Sequence, residues 1–277
     1  MIVEGRFRSG SLEGFYERRW LIDAPRANVL IVHGYREHCA RYDHVAATLN
    51  HHAFSVFSYD QRGHGRSPGK KSYIERFDHY LNDLDAYLAH AQPDFGGLPL
   101  LVIAHSMGGL VFTRYLQTRA FRPAAVVLSS PLLAMKEVSP VLLALADTLS
   151  ALAPWLPVAG LDPKAISRVP SVVEEYQRDP LNGHGAIVAR SGAELTRTVA
   201  QARQEAAKIT LPIYLMHGTA DQLAPCEGSR YLHEHAASKD KTLKIYEGGY
   251  HELMNDVISE EVKQHMADWM ESKIAQP

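Results

Sequence analysis

Five apolar runs, each closed by a small or polar residue, set the rhythm of the chain. Asn28–Val32 runs into His33-Gly34, Phe54–Tyr59 into Asp60, and Leu100–Ala104 into His105-Ser106. Ala125–Leu128 then runs into Ser129-Ser130-Pro131, and Pro212–Met216 into His217-Gly218. Broken only by Asn28, Ser55 and Ser58, this apolar character, rather than alternation, is what strands covered on both faces require. Helical spacing fills the intervals. Val45–Leu49 belongs to one helix, Asp78–Gln92 carries Tyr80, Leu81, Leu84, Tyr87 and Leu88, and Gly108-Gly109 opens into Leu110–Leu116. A helix over Pro225–Ala237, a strand over Thr242–Tyr246 and a helix over Asp256–Ile274 complete the series. Residues 2–22 alternate instead and predict an antiparallel hairpin turning at Ser9-Gly10-Ser11. The whole predicts an α/β fold, with a mostly parallel central sheet flanked by helices.

The rhythm stops after Pro131. Residues 132–207 predict helices and no strand. They hold an apolar helix (Val141–Leu152), a bend with Pro154, Pro157, Pro163 and Pro170, and a polar helix (Ala193–Lys208). The expected organisation is an α/β core of residues 1–131 and 208–277, with a helical cap of residues 132–207 over the open sheet ends. In the apolar helix, Val141, Leu142, Leu143, Leu145, Ala146, Leu149 and Leu152 leave only Asp147, Thr148 and Ser150 as a thin polar face. Two readings stand side by side. The helix packs into the cap's own core, or its outer face meets lipid aggregates or a membrane surface.

Composition narrows the class. The chain has 277 residues, 46% of them hydrophobic and 22% charged, as soluble globular proteins do. A net charge of −2 with no long basic run gives no footprint for nucleic acid. Two cysteines, Cys39 and Cys226, make neither a disulfide framework nor a zinc site, and suit a reduced, cytosolic setting. The N-terminus shows no signal peptide, and no apolar stretch is long enough to span a bilayer.

Candidate chemistry sits where strands end. Ser106 stands between a buried strand and a helix, in Ala104-His105-Ser106-Met107-Gly108. This is the nucleophile-elbow pattern with alanine at its first position. The plainer reading is a serine N-cap. A serine hydroxyl needs a base, and the base needs an orienting carboxylate. Asp221 lies three residues past His217-Gly218, and His251 lies in the first loop after the last strand. Both fall on the rim where open α/β sheets bind ligands, in the order serine, acid, histidine. The N–H groups of Met107 and Tyr35 are the expected oxyanion donors. Glu37, His38 and Arg41 are polar groups placed either to meet a hydroxylated head group or to open a solvated helix. Asp60 and Arg62 are read as loop-structuring. Cys39 has no strand–turn–helix around it and is read as a buried or idle thiol.

Several motifs together resemble the monoacylglycerol lipase family of α/β-hydrolases, within the serine-aminopeptidase-like group. They are His33-Gly34-x-x-Glu37-His38 with Arg41-Tyr42, then Asp60-x-x-Gly63-His64-Gly65-x-Ser67, His105-Ser106-Met107-Gly108-Gly109 and Gly218-x-Ala220-Asp221. The block from Asp240 to His251 is the most specific of them. The resemblance spans nearly the whole chain and is weakest in the cap. It implies hydrolysis of a fatty acyl ester of glycerol by a Ser106–Asp221–His251 triad, an apolar acyl tunnel under the cap, and no metal or cofactor. It also implies glycerol contacts at Glu37, Arg41 and Tyr176. Ala104 for glycine and a large Tyr35 are the two departures. A lysophospholipase or general carboxylesterase would use the same machinery. An aminopeptidase would need an acidic anchor such as Glu37, and a non-catalytic ligand-binding protein could keep the scaffold. Chain length, regiospecificity and oligomeric state are left open by the sequence.

Overall fold

The computed structural model describes residues 1–135 and 140–274, and side chains for all of these but 140–145. Strands β1 (Ile2–Ser9), β2 (Leu12–Trp20), β3 (Ala27–Val32), β4 (Phe54–Tyr59), β5 (Leu100–His105) and β6 (Ala125–Ser129) lead into the cap segment. That segment holds β7 (Pro157–Gly160) and β8 (Ala186–Val188), after which β9 (Ile213–Gly218) and β10 (Lys241–Tyr246) return to the main sheet. The main sheet has eight strands in the order β1-β2-β4-β3-β5-β6-β9-β10. The six strands from β4 to β10 are parallel, and the β1–β2 hairpin joins β4 antiparallel at one edge.

Each apolar run divides its side chains between two layers, because successive residues of a strand face opposite ways. Leu30, Val32, Val102, Ala104, Leu128 and Leu215 join α2 (Asp78–Ala91) and α3 (Met107–Thr118) on one face. Val29, Ile31, Leu101, Ile103, Val127 and Met216 join α1 (Asp43–His51) and α8 (Ser259–Glu271) on the other. Covering both faces buries about 1.5–3 kcal/mol worth of each large aliphatic side chain, and this fixes the central strands.

The cap carries α4 (Pro140–Leu152), α5 (Pro170–Arg178) and α6 (Ala189–Gln204), while α7 (Glu227–His235) belongs to the core. The polar helix expected from Ala193 starts earlier, and through Leu195, Val199 and Ala202 it joins the same apolar layer as α3. The expectation that the segment holds no strand is wrong. Strands β7 and β8 pair antiparallel from Pro157↔Val188 to Gly160↔Ala186. Four and three residues, with a proline and a glycine among them, carry no legible period. Only their pairing across about thirty residues of chain defines them. The side chains of Val141, Leu142, Leu143 and Leu145, central to the two readings of the apolar helix, lie outside the described residues.

The elbow is a single residue. His105 ends β5, Met107 begins α3, and Ser106 between them adopts φ 51°, ψ −118°. Its N–H donates to Ser129 O at 3.0 Å, and its carbonyl accepts from Leu132 N at 3.0 Å and Leu110 N at 3.2 Å. Neighbouring strand and loop thus hold a backbone that a non-glycine residue adopts only under constraint. The Ala104 methyl is fully buried in the apolar layer, so the departure from glycine is accommodated by packing. Gly108 has no such latitude, because a Cβ there would overlap the carbonyl oxygens of Val32 and His33. Gly108→Ala is therefore expected to destabilise by about 1–3 kcal/mol despite alanine's better helix propensity. Thermal unfolding would read this as a fall in Tm of about 2–4 °C per kcal/mol; an unchanged Tm would refute the close approach.

Candidate active site

Ser106, Asp221 and His251 come from three loops at the carboxyl ends of β5, β9 and β10, and they meet in one hydrogen-bonded chain. His251 Nε2 is 2.8 Å from Ser106 Oγ, and His251 Nδ1 is 2.7 Å from Asp221 Oδ2. Asp221 Oδ1 accepts from the N–H groups of Leu223 and Ala224 at 2.8 and 2.9 Å. These bonds to the carboxylate fix which way His251 turns. An Nδ1–H aimed at Asp221 leaves Nε2 with its lone pair toward the serine, the tautomer a base requires.

A fourth group at this site carries no flag in the sequence. His217 is fully buried, and its Nε2 lies 3.1 Å from Asp221 Oδ2 and 2.9 Å from Ala224 O. Its Nδ1 is 2.7 Å from Ser229 Oγ. The only trace of it in the sequence is a strand ending in His-Gly, which β3 also has. Burial alone would raise the Asp221 pKa. The charge and hydrogen bond of His251, with the bond from His217, outweigh it and hold the carboxyl far below the usual range. For His251 burial works against the imidazolium, yet the Asp221 carboxylate beside it leaves the pKa raised overall. The ring of His105 lies 4.8 Å from that of His251. Burial and the His251 charge push its pKa down to about 4, so it stays neutral.

The loop after β3 approaches the serine closely. A Cβ at Gly34 would lie 3.1 Å from Ser106 Cβ. Gly34 N–H donates to Glu37 Oε1 at 2.5 Å, and His33 Nε2 accepts from Gln61 N at 2.9 Å, bracing the loop from both sides. Neither Tyr35 N–H nor Met107 N–H donates a hydrogen bond among the described residues. Met107 is the first residue of α3, where the N–H has no helical partner. The Tyr35 hydroxyl turns away to Ser72 O at 2.5 Å.

Glu37 and Arg41 serve each other first. Arg41 Nη1 lies 2.9 Å from Glu37 Oε2 and 2.7 Å from Glu252 Oε1, and Nη2 lies 2.8 Å from Glu252 Oε2. Tyr42 OH donates to Glu37 Oε1 at 2.9 Å, and Asn255 Nδ2 to Glu252 Oε2 at 2.9 Å. Burial would raise the Glu37 pKa, but the Arg41 guanidinium beside it pulls it down to about 2. Glu252, which directly follows His251, is a second functional-site residue that reading the sequence did not single out. Tyr176 lies over this cluster, with its ring centroid 5.0 Å from the Arg41 guanidinium carbon. His38 Nε2 reaches Asp179 Oδ2 of the cap at 2.9 Å. Asp60 accepts from Cys39 N and Arg66 N, each at 2.8 Å, and Arg62 pairs with Asp83, so both order their loops.

These groups open onto a cavity of about 860 Å³ between core and cap. Leu132, Met135, Val158, Ile187, Leu195 and Leu223 give it an apolar side, while Ser106, His251, Glu37, Tyr176 and Glu252 lie on its polar side. Arg41 does not line it. The arrangement can activate one hydroxyl beside two free N–H donors, at the foot of a space sized for a chain-like apolar group.

Comparison with known proteins accords with this geometry. The serine aminopeptidase S33 family model (Hydrolase_4) matches residues 23–258. The monoacylglycerol lipase of Mycolicibacterium smegmatis is 38% identical over 257 residues, covering 92% of each chain. The monoglyceride lipase of Rattus norvegicus is 33% identical over 255 residues, covering 91% of this chain and 84% of that one. The crystal structure of Paleococcus ferrophilus monoacylglycerol lipase superposes with a TM-score of 0.82 at 35% identity, covering 94% of this chain and 99% of that one. With fold, strand-end loops and hydrogen-bonded triad all in place, the chain belongs to the serine aminopeptidase S33 family of α/β-hydrolases and, within it, to the monoacylglycerol lipases.

Proposed function

We propose that this protein hydrolyses the ester bond of monoacylglycerols to fatty acid and glycerol through an acyl-enzyme. The observation that carries the reading is the unbroken Ser106–His251–Asp221 chain at the foot of a largely apolar cavity. In this reading His251 Nε2 takes the Ser106 proton as Oγ attacks the ester carbon. The Tyr35 and Met107 N–H groups receive the developing oxyanion, a contribution of about 10²–10³ in rate for each such donor. His251 then gives its proton to the departing glycerol. Water activated by the same imidazole cleaves the acyl-serine, and Asp221 holds the ring and balances its transient charge. His217 and the Leu223 and Ala224 N–H groups hold Asp221 in turn. Every one of these groups belongs to the chain itself, and the reading calls for no metal or cofactor.

Two observations bear on the competing readings. An aminopeptidase needs an unpaired acid for the substrate amine. The four carboxylate oxygens of Glu37 and Glu252 are all bonded to Arg41, Gly34, Tyr42 or Asn255. The same saturation favours a holding role for Glu37 and Arg41 over glycerol contact, and leaves Tyr176 as the best placed of the three for the alcohol. At the end of α4, Leu152 is 82% exposed and Trp155 52%, with Lys70 Nζ 4.8 Å from the Trp155 ring. An exposed aromatic and aliphatic pair flanked by a cation supports transient contact of the cap with lipid aggregates or a membrane surface. Among the described residues no helix is long and apolar enough to cross a membrane. A peripheral site of action in the cytoplasm completes the reading.

Ser106→Ala is expected to lower kcat by about 10⁴–10⁶ and to abolish labelling by a fluorophosphonate. A variant keeping more than a tenth of the esterase activity would overturn the assignment. A hydrolysis panel over monoacylglycerols, diacylglycerols, lysophospholipids and peptide amides is expected to favour monoacylglycerols. Equal rates on all the lipid esters would leave a general carboxylesterase.

The pH profile is a separate check. The base must be unprotonated to act, so kcat/KM falls as pH drops through the His251 pKa of the free enzyme. Because that pKa is raised from 6.5, the acid limb is expected to have its midpoint above that value. A midpoint below it, measured on a soluble short-chain ester, would contradict the Asp221–His251 geometry.

A further inference from the structure

Arg36 is the odd cation of the site. It lies between Tyr35 and Glu37 in the loop after β3, is 3% exposed, and contributes to the cavity wall. The half-buried arginines Arg41, Arg62 and Arg168 each face an acid: Arg41 faces Glu37 and Glu252, Arg62 faces Asp83, and Arg168 faces Asp256. Arg36 forms no ion pair among the described residues. Its Nη1 donates to Gly185 O at 2.9 Å, and its Nε is buried with no partner at all. The guanidinium carbon lies 5.0 Å from the Tyr35 ring centroid, a contact that offsets only part of the lost hydration. A buried guanidinium without a counter-ion is costly, and Glu37 beside it is already taken up by Arg41.

The backbone sharpens the point. Arg36 has φ 66°, the left-handed region in which glycine sits without strain. A large charged side chain at such a position signals a role for the side chain. The cavity wall beside it is polar, formed by Tyr176, Gln177 and His184 of the cap. Tyr176 OH and Gly183 N–H both donate to Arg36 O, at 3.4 and 2.9 Å, so the corner is built from core loop and cap together.

We propose that this corner binds an oxyanion of the ligand, a phosphate or carboxylate, through the unpaired guanidinium of Arg36. The inference rests on the hydrolase reading and deepens it by adding substrate class. Two sources present such a group. One is the phosphate of a monoacylglycerol phosphate, whose ester would react with water to give fatty acid and glycerol phosphate. The other is the carboxylate of the fatty acid product. The planar fork of arginine suits either.

The test compares the wild type with Arg36→Gly, Arg36→Gln and Arg36→Lys on 1-dodecanoylglycerol and 1-dodecanoylglycerol 3-phosphate, with dodecanoate as inhibitor. Arg36→Gly relieves the backbone rather than straining it, and thermal unfolding verifies that each variant is folded. The readout is the ratio of kcat/KM for the phosphate ester to that for the neutral ester. A fall of about ten- to a hundredfold in Gly and Gln, the scale of a charge-assisted hydrogen bond, with Lys between, assigns the site to the headgroup phosphate. An unchanged ratio with a similar rise in the dodecanoate inhibition constant assigns it to the product carboxylate. If both quantities stay within threefold of the wild type in folded variants, the corner is only a strut between loop and cap, and the proposal falls. The neutral ester with wild-type protein tests the hydrolase reading by itself, so the two failures are distinct.

Discussion

The site depends on one constrained corner. Ser106 carries a left-handed backbone between a strand and a helix, and everything around it serves to keep it there. Ser129 O accepts from its N–H, while the N–H groups of Leu132 and Leu110 donate to its carbonyl. Gly108 lets the first turn of α3 lie against the end of β3. Because β3, β5 and β6 are adjacent parallel strands with both faces covered, none of these partners can drift separately. The strain at one residue is held by the most buried part of the molecule, which is where strain of about 1–3 kcal/mol can be sustained.

Around that corner the chemistry is arranged by buried carboxylates whose oxygens are all in use. Asp221 accepts from His251, His217 and two backbone N–H groups. Glu37 and Glu252 hold Arg41 between them and, through Gly34 and the residue after His251, join the loop after β3 to the loop after β10. Ion clusters of this kind contribute little net stability against an apolar alternative, because desolvation offsets attraction. What they supply is position: the N–H donors and the imidazole are held in one frame before any substrate arrives. Arg36 is the exception that proves informative, since a group left without a counter-charge in so well satisfied a site points outward to a ligand.

The cap is joined to this frame by polar contacts at its lower edge. His38 meets Asp179, and Arg36 meets Gly183 and Gly185. The apolar face of α6 (Leu195, Val199, Ala202) continues the core layer beside α3. Core and cap build the cavity together: the core loops supply Ser106, His251, Glu37 and Glu252, and the cap supplies Tyr176 beside them and Val158, Ile187 and Leu195 of the apolar wall.

The sequence by itself determined the sheet, the elbow and the order of the triad. These are written locally: a short apolar run closed by glycine, proline or a polar residue reads as a covered strand, and the strand ends then place Ser106, Asp221 and His251 on one rim. The tertiary structure decided the rest. Arg41 and Glu252 are 211 residues apart, and His38 and Asp179 141 apart, so no spacing announces either pair. Glu37 looked available for a ligand because its partners, though local, are a backbone N–H group and two side chains whose directions a sequence does not display. His217 looked like the end of a strand until the chain folded it against Asp221. The β7–β8 pair exists only because two short segments meet, and Arg36 became distinctive only when Glu37 beside it was seen to face Arg41 instead. Local pattern fixes which elements form; the assignment of partners to buried charges is a property of the packed molecule alone.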